Sequence, residues 1–270
     1  MRHAVFLPPF DGFADPRRLV DLAIAAEEAG WDGVFLWDHM LRWPGDRPGP
    51  VGDTWLSLAA MAARTSRVLL GPCVTPLPRR RPQKVAREAV SLDHLSAGRL
   101  VLGVGLGVNS GGELERFGEP TGNRELAGML DESLELIFAL WSGTEVSHWG
   151  EHYRADGVTF LPRPLQQPRP PVWCAASGSG RPRPLRRAAR LDGLFPDAGT
   201  PESLGPMLEV VAAERGTLDG FDVVLQAHRG SDMDSFARAG ATWALWSFYP
   251  PDPVDDVLRA VTAGPGALAR

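Results

Sequence analysis

The chain has 270 residues, 44% of them apolar, enough for one sizeable core, and barrels of this length commonly fold as a single unit. A net charge of -5 with no block of like charge speaks against nucleic acid or an anionic membrane as partners. The two cysteines, Cys73 and Cys174, are far apart and lack metal-ligand spacing, so neither a disulfide framework nor a metal site is expected.

From the N-terminus, residues 3–7 read as a buried strand. Pro16 to Ala29 reads as an amphipathic helix capped by Asp15 and stopped at Gly30. Gly33 to Trp37 is a second strand ending in Asp38-His39, followed by a helix opening at Asp53 or Thr54 and running to about Thr65. Val68 to Val74 is a third strand. The run Arg79-Arg80-Arg81, flanked by Pro78 and Pro82, reads as a solvated loop or helix entry. A helix over Pro82 to Leu95 then leads through a turn at Gly98 into a fourth strand, Leu100 to Val104. Glycines 103, 105 and 107 read either as bare backbone at that strand's exit, where a ligand could lie on the main chain, or as relief for a bend or tight packing.

Beyond a loop, Arg124 to Trp141 forms a long helix with one apolar face, and Glu145 to Tyr153 a small hairpin turning at Gly150. A proline-rich connection, Phe160 to Pro171, completes an insertion. The alternation then resumes with strands at 172–176, 193–195, 223–226 and 243–247. Helices near 185–191, 201–215, 233–239 and 254–261 interleave with them. Eight strand-helix units demand a parallel sheet and favour closure, so the fold class is α/β: one (β/α)8 barrel domain over residues 1–270, with the hairpin between strands four and five. No apolar run approaches membrane-spanning length and the N-terminal apolar stretch is too short for a signal peptide, so a cytoplasmic location is expected.

In such a barrel the chemistry sits at the C-terminal strand ends. Asp38-His39 is the sharpest pair there, a carboxylate beside an imidazole, suited either to placing a proton donor or to closing the rim. Asp93-His94 falls at the opposite end and reads as a structural turn. Trp43 reads as a pocket wall or a loop anchor. The Ser177-Gly178-Ser179-Gly180 loop, with Arg181 and Arg183 behind it, reads as an anion site or a surface linker.

Taken with AEEAGWDGVFLWDH, LGPCVTPLPRRRP, SLDHLSAGRLVLGVGLG, YRADGVTFLPRP and PPVWCAASGSGRPRPLRRAARLDGLFP, these residues make the chain similar, over nearly its whole length, to the bacterial luciferase-like family of flavin-dependent oxidoreductases. The resemblance implies a (β/α)8 barrel binding FMN or the deazaflavin coenzyme F-420, with a tilt toward F-420. It implies hydride transfer to or from a small organic substrate, or oxygen activation as in a monooxygenase. His39 and Asp38 match the catalytic pair near the ring. Cys73 and Val74 match a non-prolyl cis peptide beneath the ring. Gly105, Gly107, Ala176, Ser177 and Gly178 match cofactor-binding backbone, and Trp43 and Asn109 the substrate pocket. One departure stands out: where related sugar-phosphate dehydrogenases carry a proton-donating glutamate after the strand-four glycines, this chain has Val108 and Asn109. A cofactor-binding or structural paralogue without turnover therefore stays open, as does a homodimer.

Overall fold

The computed structural model describes residues 1–42, 47–177, 182–250 and 252–269. Strands β1 (Arg2–Leu7), β2 (Gly33–Leu36) and β3 (Leu69–Pro72) begin a parallel sheet, separated by helices α1 (Pro16–Glu28) and α2 (Thr54–Ala62). The third strand does not run through. A cis peptide joins Cys73 to Val74, and the chain re-enters the sheet as β4 (Thr75–Pro76) before helix α3 (Pro82–Leu95) and strand β5 (Leu102–Gly105). Helix α4 (Asn123–Trp141) leads to the hairpin β6 (Glu145–Trp149) and β7 (Arg154–Thr159). The barrel then continues with β8 (Val172–Ser177), α5 (Pro182–Ala189), β9 (Gly193–Asp197), α6 (Pro201–Arg215), β10 (Asp222–Ala227), α7 (Met233–Arg238), β11 (Trp243–Ser247), α8 (Val254–Thr262) and a last turn α9 (Pro265–Leu268).

The sheet has nine segments in the order β3-β2-β1-β11-β10-β9-β8-β5-β4. Because β3 and β4 are halves of one broken strand, nine segments make eight staves. A parallel bridge from Leu70 to Leu100 closes the ring. The expected (β/α)8 barrel and its inserted hairpin are thus present. The hairpin is longer than the sequence suggested: its second strand reaches Thr159, because Ala155 and Val158 pack on the core although their neighbours face solvent.

The glycines after α3 serve the close packing that was one of their two readings. A side chain at Gly103 would place its Cβ 2.4 Å from the Pro72 carbonyl oxygen, and at Gly105 2.7 Å from a Val74 methyl. They admit the broken third strand as a close neighbour.

Two layers of core result. Between sheet and helices lies an aliphatic shell including Leu19, Leu22, Leu58, Val85, Leu130 and Val211. Inside the barrel Phe35, Trp173 and Trp243 pack with ring centroids 4.9 to 6.0 Å apart, sealing the lumen. At the end where the strands begin, the buried Asp93 carboxylate accepts from the Leu165 and Gln166 amides at 2.7 and 3.0 Å. His94 Nε2 lies 2.8 Å from the Arg163 carbonyl. Both are structural, as expected, but what their side chains hold is the proline-rich connection. No helix among the described residues is long and apolar enough to cross a membrane.

Candidate active site

Above the aromatic seal, a cavity of about 1580 Å³ opens at the C-terminal ends of the strands. Asp38, His39, Cys73, Val74, Gly105, Gly107 and Ala176 all line it. Ser177 ends β8 beside it. Asn109 is not part of the lining; its side-chain oxygen accepts from the Leu114 amide at 2.9 Å and the Glu115 amide at 3.2 Å, shaping the following loop. Trp43, Gly178, Ser179, Gly180 and Arg181 lie outside the described residues.

Adjacent in sequence, Asp38 and His39 turn to different partners. Asp38 is buried; its carboxylate accepts from Thr75, from Arg79 at 3.1 Å and from Arg80 at 2.7 Å. It is a structural anchor for the turn after β4, and it does not face the imidazole. His39 instead places Nδ1 2.7 Å from Oε2 of Glu113, a carboxylate only 3% exposed. The other oxygen of Glu113 accepts from the Met40 amide at 2.6 Å and from Arg79 at 2.9 Å. A carboxylate fixed this way orients an imidazole and supports it as a base, leaving Nε2 for a ligand.

Val108 and Asn109 leave the proton-donor place after the strand-four glycines without an acid, and the carboxylate that meets His39 comes from Glu113, which sequence reasoning missed, on the loop between two single helical turns, Ser110–Gly112 and Glu115–Phe117. Gly111 and Gly112, at φ 70° and 79°, and Asn109's capping contacts bend the chain back toward His39. Of the two readings of the arginine run the helix entry holds, Arg81 being the N-cap of α3, while its first two members are drawn into the site. Arg79 is 5% exposed and holds both Asp38 and Glu113, and Arg80 is half-buried against Asp38. Each buried charge is matched, as burial requires.

Around the imidazole the walls are aromatic. Phe10 and Trp37 lie with ring centroids 5.8 and 5.9 Å from His39, and Tyr249 lies 5.5 Å from Trp37 and stacks on His228 at 5.7 Å. Tyr249 donates to Gln226 at 3.2 Å. Burial pushes the Cys73 thiol up, and the Asp197 carboxylate adds to that rise. Cys73 is therefore an uncharged floor and no nucleophile. On another side of the mouth, α4 and α5 contribute Arg124, Arg183, Arg186, Arg187 and Arg190. Arg187 pairs with Asp131, and Arg186 and Arg190 reach Glu214 at 3.7 and 3.5 Å. Among these only Arg183 was legible as part of a basic site from sequence.

The profile of the luciferase-like monooxygenase family matches residues 1–264. The chain belongs to that family. This luciferase-like chain is an oxidoreductase, and it is 36% identical over 257 residues to an F-420-dependent glucose-6-phosphate dehydrogenase of Nakamurella multipartita, covering 90% of this chain and 74% of that one. It is 38% identical over 164 residues to the F-420-dependent hydroxymycolic acid dehydrogenase of Mycobacterium tuberculosis, covering 60% of this chain and 44% of that one. Among solved structures, an F-420-dependent secondary alcohol dehydrogenase in complex with an F-420–acetone adduct gives a TM-score of 0.83 at 19% identity, over 100% of this chain and 99% of that one. A monooxygenase from Streptomyces bottropensis gives 0.70 at 23% identity, over 100% and 80%. At those identities the structural likeness establishes the barrel alone.

Proposed function

We propose that this luciferase-like chain is a deazaflavin-dependent dehydrogenase, using coenzyme F-420 to exchange a hydride with a small organic substrate, with His39 as general base. The observation that carries the reading is the carboxylate-bound imidazole of His39 and Glu113 on the wall of a cavity large enough for a cofactor and a substrate together. The groups present suit that cofactor. Cys73, Val74 and Gly105 offer an uncharged floor for a planar ring, and the arginines of α4 and α5 offer cations for a phosphate and a carboxylate-bearing tail. When bound, the deazaflavin supplies the two-electron acceptor.

The chain's own residues do the rest. Glu113 fixes the ring of His39, His39 takes the substrate's hydroxyl proton at Nε2, and Arg79 holds Glu113 in place. Trp37, Phe10 and Tyr249 exclude water around that proton transfer. FMN is the competing cofactor; the names of the sequence relatives favour F-420. The 1–270 chain acts as one catalytic unit in a cytoplasmic setting. The F-420-dependent dehydrogenases among the sequence relatives support turnover over a cofactor-binding paralogue without it.

Titration of the purified protein against F-420 and FMN, followed by cofactor fluorescence, tests this. F-420 is expected to bind in the micromolar range or tighter and FMN at least about tenfold more weakly, a gap of about 1.4 kcal/mol. Tight FMN binding without F-420 binding overturns the deazaflavin assignment.

A further inference from the structure

The charges around the cavity are unevenly distributed, and that bears on what the site accepts. Six arginines line it among the described residues: Arg79, Arg124, Arg183, Arg186, Arg187 and Arg190. Five belong to the α4–α5 side. Arg79, the one beside His39, is spent on Glu113 and Asp38 at 2.9 and 3.1 Å. Arg42 near the same end is held by Asp11 at 3.0 Å. Asp197, at the end of β9, lines the cavity as an exposed carboxylate with no ion-pair or hydrogen-bond partner among the described residues. Its charge reaches both Cys73 and Tyr249: burial chiefly raises each group, and Asp197 raises it further. The catalytic end thus presents aromatic walls, a neutralised arginine and a spare anion. A phosphate dianion seated against His39 would find Arg79 already paired and would meet the charge of Asp197, while the cavity's cations without an ion-pair partner among the described residues, Arg124 and Arg183, belong to the α4–α5 side.

We propose that the substrate presented to His39 is an uncharged alcohol with an apolar body, or the matching carbonyl compound, and that phosphorylated alcohols are rejected through Asp197 and the pairing of Arg79. This rests on the dehydrogenase reading above. In the oxidation, the carbinol C–H bond breaks with its electron pair leaving as hydride to the deazaflavin acceptor. The O–H proton passes to His39, and the carbon–oxygen bond becomes double. Val108, 46% exposed, adds a further apolar residue at the cavity mouth, where an acid would have favoured a polar substrate.

The test compares 2-octanol with glucose-6-phosphate on the F-420-loaded protein, and measures thermal shifts with 2-octanone, glucose-6-phosphate and inorganic phosphate. Turnover of 2-octanol is expected to exceed that of glucose-6-phosphate by about 100-fold in kcat/KM, the ratio that a repulsion of a few kcal/mol gives. 2-Octanone is expected to raise Tm while glucose-6-phosphate does not, and inorganic phosphate is not expected to compete with the alcohol. Preference for glucose-6-phosphate, or competition by phosphate, overturns the inference. Should F-420 fail to bind, the dehydrogenase reading fails separately. The thermal shifts of the cofactor-free protein still decide the substrate class, and stabilisation by glucose-6-phosphate but not by 2-octanone counts against it. Asp197→Lys supplies a cation there and is expected to raise glucose-6-phosphate turnover at least about tenfold and to let glucose-6-phosphate raise Tm; no gain removes Asp197 from the proposal.

Discussion

At the scale of single residues, Asp38 and His39 are neighbours with separate work, and their substitutions separate it. His39 is half-buried, with its ring on the cavity wall, so His39→Ala is expected to leave the fold intact at a cost of about 1 kcal/mol. Its loss of general-base chemistry should lower kcat by about 10²- to 10⁴-fold. Glu113→Gln keeps the shape but removes the charge that orients the imidazole, and should fall between wild type and His39→Ala in kcat while binding F-420 normally. Asp38→Ala does the reverse. Arg80 would keep a largely buried charge without a carboxylate and Arg79 would keep Glu113 alone, at a cost of about 3 kcal/mol. Urea denaturation read beside turnover of the folded fraction checks all three. Equal stability losses in Asp38→Ala and His39→Ala would mean that Asp38 is no anchor.

At the scale of elements, boundaries set by local chemistry were readable and those set by distant partners were not. Pro82 and Gly98 bracket α3, and Pro201 and Gly216 bracket α6; each helix is found where those residues place it. The second hairpin strand lacks such punctuation. Its position depends on Glu132 of α4, which accepts the His152 and Tyr153 amides at 2.9 and 2.7 Å. Arg99 is another long-range tie without sequence signal. Buried just before β5, it donates to the carbonyls of Val68, Ala62 and Thr65 at 2.8, 3.0 and 2.8 Å, capping the end of α2. Burial lowers its pKa, yet the guanidinium fork stays charged and satisfies three carbonyls at once. Arg99→Met should cost about 3 kcal/mol by orphaning those oxygens. Arg99→Lys, with a single donor group, should recover less than half. Both should turn over substrate normally once folded, because Arg99 sits at the end of the barrel away from the cavity. A midpoint in urea unchanged from wild type would assign the cap elsewhere.

At the scale of the whole molecule, strand order placed the site, since every residue read from a strand end and now found in the cavity comes from one end of the barrel. What sequence could not give is pairing through space: Glu113 reaches His39 across 74 positions, and Arg79 reaches Asp38 across 41. The same separation governs charge. The chain is net negative, yet the cavity gathers its arginines along α4 and α5, where Arg124 and Arg183 have no ion-pair partner among the described residues. An anionic cofactor is then drawn to one side of a mouth that otherwise repels it. Because these guanidinium groups are exposed, salt should screen them, and F-420 affinity should fall about tenfold between 50 and 500 mM NaCl. Arg183→Ala should weaken binding about tenfold at low salt and flatten that dependence, while Arg183→Lys should keep most of both. The measurement is the dissociation constant as a function of ionic strength for the three proteins. If Arg183→Ala binds more weakly but keeps the full salt slope, the attraction comes from the rest of the arc and Arg183 contributes shape alone.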